Sequence, residues 1–226
     1  MNDFYTFIIL STINASTTIC DTSERYNETI NTIKSIHRKV PNSKIIFVDN
    51  SINLPTVAQQ KEIGNLVDIQ KYLDPSLFSE ITNNFGSKSL GEAMILYEAM
   101  KLIKTNNLIG RRIFKIAGRY QLSDTFNLIE YDEAVNGKYV WILEPNDSTT
   151  YQTTLMSFCP TLFDEYFDLI PQMFYNMLRH LGTSHSNWGK SNFKFIPRDK
   201  VVILNTAHVE GWRGLPRSER PRYVKL

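Results

Sequence analysis

The sequence predicts a three-layer α/β fold with a central, mainly parallel sheet, and three observations carry that expectation. Apolar runs and amphipathic stretches alternate through the first 130 residues, beginning β-α-β. A loop, a helix and a short apolar strand follow one another between Asn83 and Tyr120. The 226 residues hold no internal repeat, low-complexity tract or Gly/Ser-rich linker. A chain of that length can bury one substantial core, so a single domain over residues 1–226 is expected.

Taken in order, Phe4 to Ile13 is apolar without alternation, as a strand covered on both faces would be. Its ten-residue apolar run follows Asp3 rather than a basic segment and is too short to span a bilayer, so it reads as a buried strand rather than a signal, and no transmembrane segment is expected. Asp21 with Glu24 three residues on marks a helix start, and Tyr26, Ile30, Ile33 and Ile36 recur at helical spacing. Pro41 and Asn42 end that pattern, and KIIFVDNS follows as a second strand. A right-handed parallel crossover then brings Thr12 and Asp49 out at one edge of the sheet. Asp49 there suits either hydrogen bonding to a base or ribose, or capping of the next turn.

Residues 55–64 read as a short helix and LVDIQKYL as a third strand. From Ser89 to Lys104, Leu90, Ala93, Met94, Tyr97 and Met100 form an apolar stripe, with Glu92, Glu98 and Lys101 facing outward. SDTFNLIEYDE reads as a capped helix, and KYVWILE and YQTTLMSF as strands. A helix from Thr161 to His180 is expected to be split by Pro171. VVILNTAHVEGW reads as one returning strand, followed by a tail with four arginines and a lysine against one glutamate. Between Leu169 and Arg198 there is no Asp or Glu.

The 25 Lys+Arg against 23 Asp+Glu leave a formal charge of +2, which gives no support to a nucleic-acid partner. Cys20 and Cys159 stand alone, with neither a CxxC pair nor clustered histidines, so a reducing, cytoplasmic setting fits. The chemistry-bearing stretch is NNFGSKSLGE. Gly86 frees the backbone for close approach, and a helix starting at Ser89 aims N–H groups at an anion beside the charge of Lys88. The next strand runs out into Lys115, Gly118, Arg119 and Tyr120, and strand carboxyl ends are where open α/β sheets bind ligands. Together these residues read as a phosphate-binding site.

In order and in these residues, the chain resembles glycosyltransferases of the GT-A fold, family 2-like members in particular, with residues 1–130 as the nucleotide-binding half. The resemblance implies a nucleoside-diphosphate sugar, UDP-linked among others, as donor substrate and a carbohydrate or other hydroxyl acceptor, with residues 131–226 as the acceptor half and basic tail. It implies that Asp49 meets the base and that Gly86, Lys88 and Glu92 lie near the donor. Where the family carries Asp-x-Asp for Mn²⁺ or Mg²⁺, this chain has Gly118-Arg119-Tyr120. A guanidinium can neutralise a pyrophosphate bidentately instead. By position, His208 matches the late histidine that completes the family's metal or pyrophosphate site. Candidates for the catalytic base are Glu210, Asp164 and Glu144, in that order.

Overall fold

The computed structural model describes residues 2–14, 21–74, 88–132, 137–145, 147–183, 186–213 and 222–225, the last four together with 212 and 213 as backbone. Strand β1 (Tyr5–Ser11) is buried at all seven positions. Helix α1 (Thr22–Lys39) is capped by the Asp21 side chain, carries Glu24 in its first turn and His37, Arg38 and Lys39 in its last, matching charge to the helix dipole at both ends. Strand β2 (Ser43–Asp49) pairs in parallel with β1, Ser11 opposite Asp49. Helix α2 (Val57–Gly64) starts with a reciprocal Thr56–Gln59 capping box, and β3 (Ile69–Tyr72) adds to the edge of β2.

Helix α3 (Lys88–Thr105) begins one residue before the position expected from sequence. Strand β4 (Ile113–Ala117) pairs in parallel with the other side of β1. The chain then leaves the sheet as β5 (Tyr120–Leu122) and the short α4 (Leu128–Asp132). Strand β6 (Tyr139–Trp141) leads into a hairpin of β7 (Leu143–Glu144) and β8 (Asp147–Tyr151), and β9 (Leu155–Phe158) inserts antiparallel between β6 and β4. Helices α5 (Phe163–Arg179) and α6 (Trp188–Phe195) precede β10 (Val201–Ile203), β11 (Val209–Arg213) and β12 (Arg222–Lys225). The main sheet has the order β10-β6-β9-β4-β1-β2-β3, and β12-β11-β5 form a second sheet.

Side-chain alternation divides the core into two layers. Phe7, Ile9, Phe47 and Phe114 face α1 through Ile30, Ile33 and Ile36. Ile8, Leu10, Ile46 and Val48 face α3 and α5 through Leu90, Leu96, Ile103, Tyr166 and Ile170. Each such fully buried aliphatic or aromatic side chain contributes about 1.5–3 kcal/mol, which is why β1 tolerates no surface-like position.

Two expectations need correction. Pro171 does not split its helix: α5 is continuous, with Pro171 on the exposed side, where the freed carbonyl of the preceding turn can be hydrated. The stretch VVILNTAHVEGW is two strands in two different sheets, β10 beside β6 and β11 between β5 and β12. Gly211 explains the tight fit of β11, because a Cβ there would stand 2.2 Å from the Arg119 carbonyl oxygen.

Candidate functional site

Strands β1, β2 and β4 run in parallel, so Ser11, Asp49 and Ala117 leave the sheet at one end. That exit end is where ligand chemistry is expected in an open α/β sheet. Asp49 is 1% exposed there, and its two carboxylate oxygens accept from the backbone N–H groups of Ile13 and Ser51, each at 2.9 Å. The Thr12 hydroxyl donates to the Asn50 side-chain oxygen, and the Thr12 carbonyl accepts from Arg25 Nη1 at 2.5 Å. These bonds fix the exits of β1 and β2 against each other, with Asp49 as the central acceptor. A carboxylate can accept about four hydrogen bonds, so two already made leave room for more.

Beyond β4, the Gly118 N–H donates to the Leu10 carbonyl at 2.8 Å, holding the following turn over the end of β1. Tyr120 is buried in the α1 layer. Between them, Arg119 carries its guanidinium within electrostatic reach of Glu28 on α1. Arg119 Nη1 and Glu28 Oε2 are both buried, and neither has a hydrogen-bond partner among the described residues. Burial pushes the Glu28 carboxyl above its usual range, opposed by the nearby Arg119 and Arg25. Buried polar atoms without partners are rare and costly, so this pair is the under-satisfied spot of the exit end.

On the opposite face of the sheet, Lys115 is fully buried and its ammonium donates to Glu92 and to the Thr153 carbonyl, while the Thr153 hydroxyl donates to Glu92 at 3.4 Å. Lys115 and Glu92 are therefore each other's counter-ion rather than two independent groups. Lys88, the first residue of α3, is exposed at the same end. Gly86 lies outside the described residues.

The three candidate bases separate. Glu144 stays at the exit end, on the hairpin that follows β6. Asp164 lies at the far end, because α3 runs away from Lys88 and its last turn carries Lys104, whose ammonium is 2.7 Å from Asp164. Glu210 accepts from Gln121 Nε2 at 2.8 Å on the second sheet. In that ladder Tyr120 and Leu122, which alternate with Gln121, are the residues buried against the α1 layer, so the Glu210–Gln121 pair takes the other side.

His208 also belongs to the far end, which corrects the expectation that it shares an edge with Asp49. Its Nδ1 is 3.1 Å from the Thr125 hydroxyl, its Nε2 is 3.2 Å from Glu130, and its carbonyl accepts from the Ser123 N–H. Asp124 beside them meets Lys39 in the last turn of α1 at 3.2 Å. The mismatch arises because β11 enters beside Leu122 and only reaches Tyr120 two residues later, so the residue before the strand sits a strand's length from the exits.

Metal ligation fits this geometry poorly. Among the described residues no three His, Cys, Asp or Glu side chains cluster to hold an ion, and the segment ending β4 offers a guanidinium and a phenol rather than hard oxygen anions. The contribution of Glu28 and Arg25 escapes a reading of the sequence, because a helix separated from Arg119 by β2, α2, β3, α3 and β4 gives no local sign that it packs beside it.

No model of a known protein family matches the chain. Among curated proteins, a UPF0159 protein of Chlamydia muridarum is 30% identical over 119 residues, 51% of this chain and 21% of that protein. A UPF0159 protein of Chlamydia pneumoniae is 29% identical over 110 residues, 47% and 20% of the two chains. The chain thus spans about a fifth of the length of these relatives. Among solved structures, a glycosyltransferase involved in glycosylating the major capsid of PBCV-1 superposes with a TM-score of 0.53 at 8% identity, covering 89% of this chain and 82% of that one. The galactosyltransferase LgtC superposes with 0.53 at 10% identity, covering 88% and 73%, and the glycosyltransferase GlyE of Streptococcus pneumoniae with 0.54 at 10%, covering 89% and 45%. The fold is the GT-A fold of nucleotide-sugar glycosyltransferases.

Proposed function

We propose, from the GT-A fold as premise, that this protein moves a sugar from a nucleoside-diphosphate sugar to a hydroxyl acceptor. The observation that carries the reading is Arg119: a guanidinium at the exit of the central strand with one buried nitrogen lacking a partner among the described residues, in a fold whose neighbours are glycosyltransferases. Such a nitrogen gains most from an anion that arrives with the substrate.

In this reading the donor base lies over the β1 and β2 exits, shaped by Thr12 and Asp49. Arg119, aided by Lys88, faces the diphosphate, and Gly86 and Tyr120 are the further candidates to meet it. Glu92, held by Lys115, lies toward the sugar. The acceptor oxygen bonds to the anomeric carbon as the bond from that carbon to the diphosphate oxygen breaks. The diphosphate keeps the electron pair, and a positioned cation stabilises it more as its charge grows. Glu144 is the candidate at this end to take the acceptor proton; Glu210, Asp164 and His208 stand elsewhere. A bound Mn²⁺ or Mg²⁺ would supply further charge neutralisation, but no step here depends on one.

The test is a thermal-shift and turnover screen against UDP-, GDP-, TDP- and CMP-sugars, with manganese and with EDTA. One donor at about a hundred times its dissociation constant should stabilise the fold by about 2.7 kcal/mol and be hydrolysed slowly without acceptor. Binding without any turnover would make the protein a nucleotide-binding module on a transferase fold, and no binding by any donor would end the reading.

A further inference from the structure

The stretch without Asp or Glu, Leu169 to Arg198, converges in the fold. Helix α5 begins at the far end, where Asp164 meets Lys104, and packs along α3 with Tyr97 and Phe167 stacked at 4.7 Å, so its last turn lies toward the exit end. Helix α6 returns beside it, and Lys190 reaches Asp147 at the start of β8. Gly189 permits this close packing, since a Cβ there would stand 2.1 Å from the Tyr151 carbonyl oxygen.

Between the two helices lies a cavity of about 190 Å³ lined by Asn176, His180, Lys190, Ser191 and Lys194. Two independent features mark it for an anion. Lys194 donates to the neutral Asn176 side chain at 3.1 Å and stands 5.5 Å from the centre of the Phe195 ring, with no carboxylate paired to it among the described residues, where Lys190 has one, Asp147, at 3.7 Å. That carboxylate is occupied by the hydroxyls of Thr149 and Thr150, whose hydrogen bonds hold its pKa down to about 2. Ser191 is 1% exposed, lines the cavity, and its hydroxyl has no hydrogen-bond partner among the described residues. A buried hydroxyl costs stability unless something accepts from it, and this one belongs to a residue that lines the same cavity as the two lysines. The cavity falls below the roughly 300–1,000 Å³ of sites for drug-sized ligands, so it suits one charged group of a larger molecule.

The geometry points to an oxyanion site, in which Lys190, Lys194 and the Ser191 hydroxyl hold a phosphate monoester or a carboxylate carried by a sugar. Taken with the transferase reading, on which this step rests, the group belongs to the acceptor, and the acceptor is an anionic glycan. The site itself, lying on α5 and α6 rather than at the exits of β1 and β2, does not depend on donor chemistry.

Calorimetric titration of the full chain with glucose 6-phosphate, glucuronate and uncharged glucose tests it, with a nucleoside diphosphate titrated separately into the same preparations. One or both charged sugars should bind saturably and glucose should not; which of the two binds identifies phosphate or carboxylate. Lys190→Gln with Lys194→Gln should weaken that binding by about tenfold or more, and Ser191→Ala by about threefold, with nucleotide binding unchanged and the thermal midpoint of Ser191→Ala no lower than that of the parent. Equal binding of glucose and the charged sugars, no saturable binding, or charged-sugar binding untouched by the double substitution would overturn the site. Charged-sugar binding with no nucleotide binding would leave the site standing and remove the transferase reading; the reverse would do the opposite.

Discussion

Arg112 and Arg119 flank the same strand, and the difference between them separates a structural cation from a receptive one. Arg112, at the far end of β4, is 1% exposed; its Nε donates to the Ser157 hydroxyl at 2.8 Å, Nη2 to the Lys138 carbonyl at 3.3 Å, and Nη1 to Cys159 Sγ at 3.6 Å. Burial alone would drive its proton off more readily, yet the fork is matched by acceptors from β9 and the start of β6. Arg119, at the exit end, has a buried nitrogen with no acceptor among the described residues and a carboxylate nearby that is equally incomplete there. One arginine finishes the protein's own hydrogen bonding; the other leaves it unfinished where a ligand would arrive.

The comparison predicts opposite phenotypes. Arg112→Ala should cost about 3–5 kcal/mol in urea unfolding, since it opens a cavity and strands its acceptors, whereas Arg112→Met, which keeps the volume, should cost much less. Equal losses for Ala and Met would show that the charge rather than the packing matters there.

Arg119→Ala should change stability by less than about 1 kcal/mol and weaken nucleoside-diphosphate binding by about tenfold, near 1.4 kcal/mol. Arg119→Lys should recover only part of it, lacking the planar fork. Strictly metal-dependent binding that ignores Arg119→Ala would remove this arginine from the site.

The smallest effect separates the two ends most finely. Glu28→Gln should tighten diphosphate binding by about two- to threefold, because it removes the anion competing for Arg119. The same substitution should alter the pH dependence of folding. The folded carboxyl is raised, so its contribution is fully present below the unfolded value and is lost as pH rises through the folded one. The Gln variant should lack that fall and be the more stable protein at neutral pH. A weaker diphosphate complex in Glu28→Gln would mean that the carboxylate orients the guanidinium rather than competing for it.

Much of the first 130 residues was legible because the signals there are local. The apolar run of β1, the Asp21 cap of α1, FVDNS ending β2 and the stripe of α3 each declare themselves within a dozen residues. What escaped was set by distant partners. Lys115 looks like an exposed strand end until α3 and Thr153 close over it, and Asp49 acquires its hydrogen bonds from residues 13 and 51, on two chain segments. His208 was misplaced because the neighbour of an antiparallel strand cannot be read from the strand itself. Pro171 was over-read, since a proline on the wet side of a helix costs a hydrogen bond without breaking the rod.

The close fit of Gly211 against Arg119 also bears on inheritance. The seven-stranded sheet is complete by Ile203, so a premature stop just after it would spare the whole main sheet while deleting β11 and β12. Such a message would encode a chain that keeps every strand of the main sheet, uncovers the α1-side core that Ala207 and Val209 complete, and has lost the backstop that holds the Arg119 carbonyl in place. Late nonsense mutations are therefore expected to disturb the Arg119 turn and loosen the α1-side core, and missense changes at Gly211 to reproduce the first of these effects without the second.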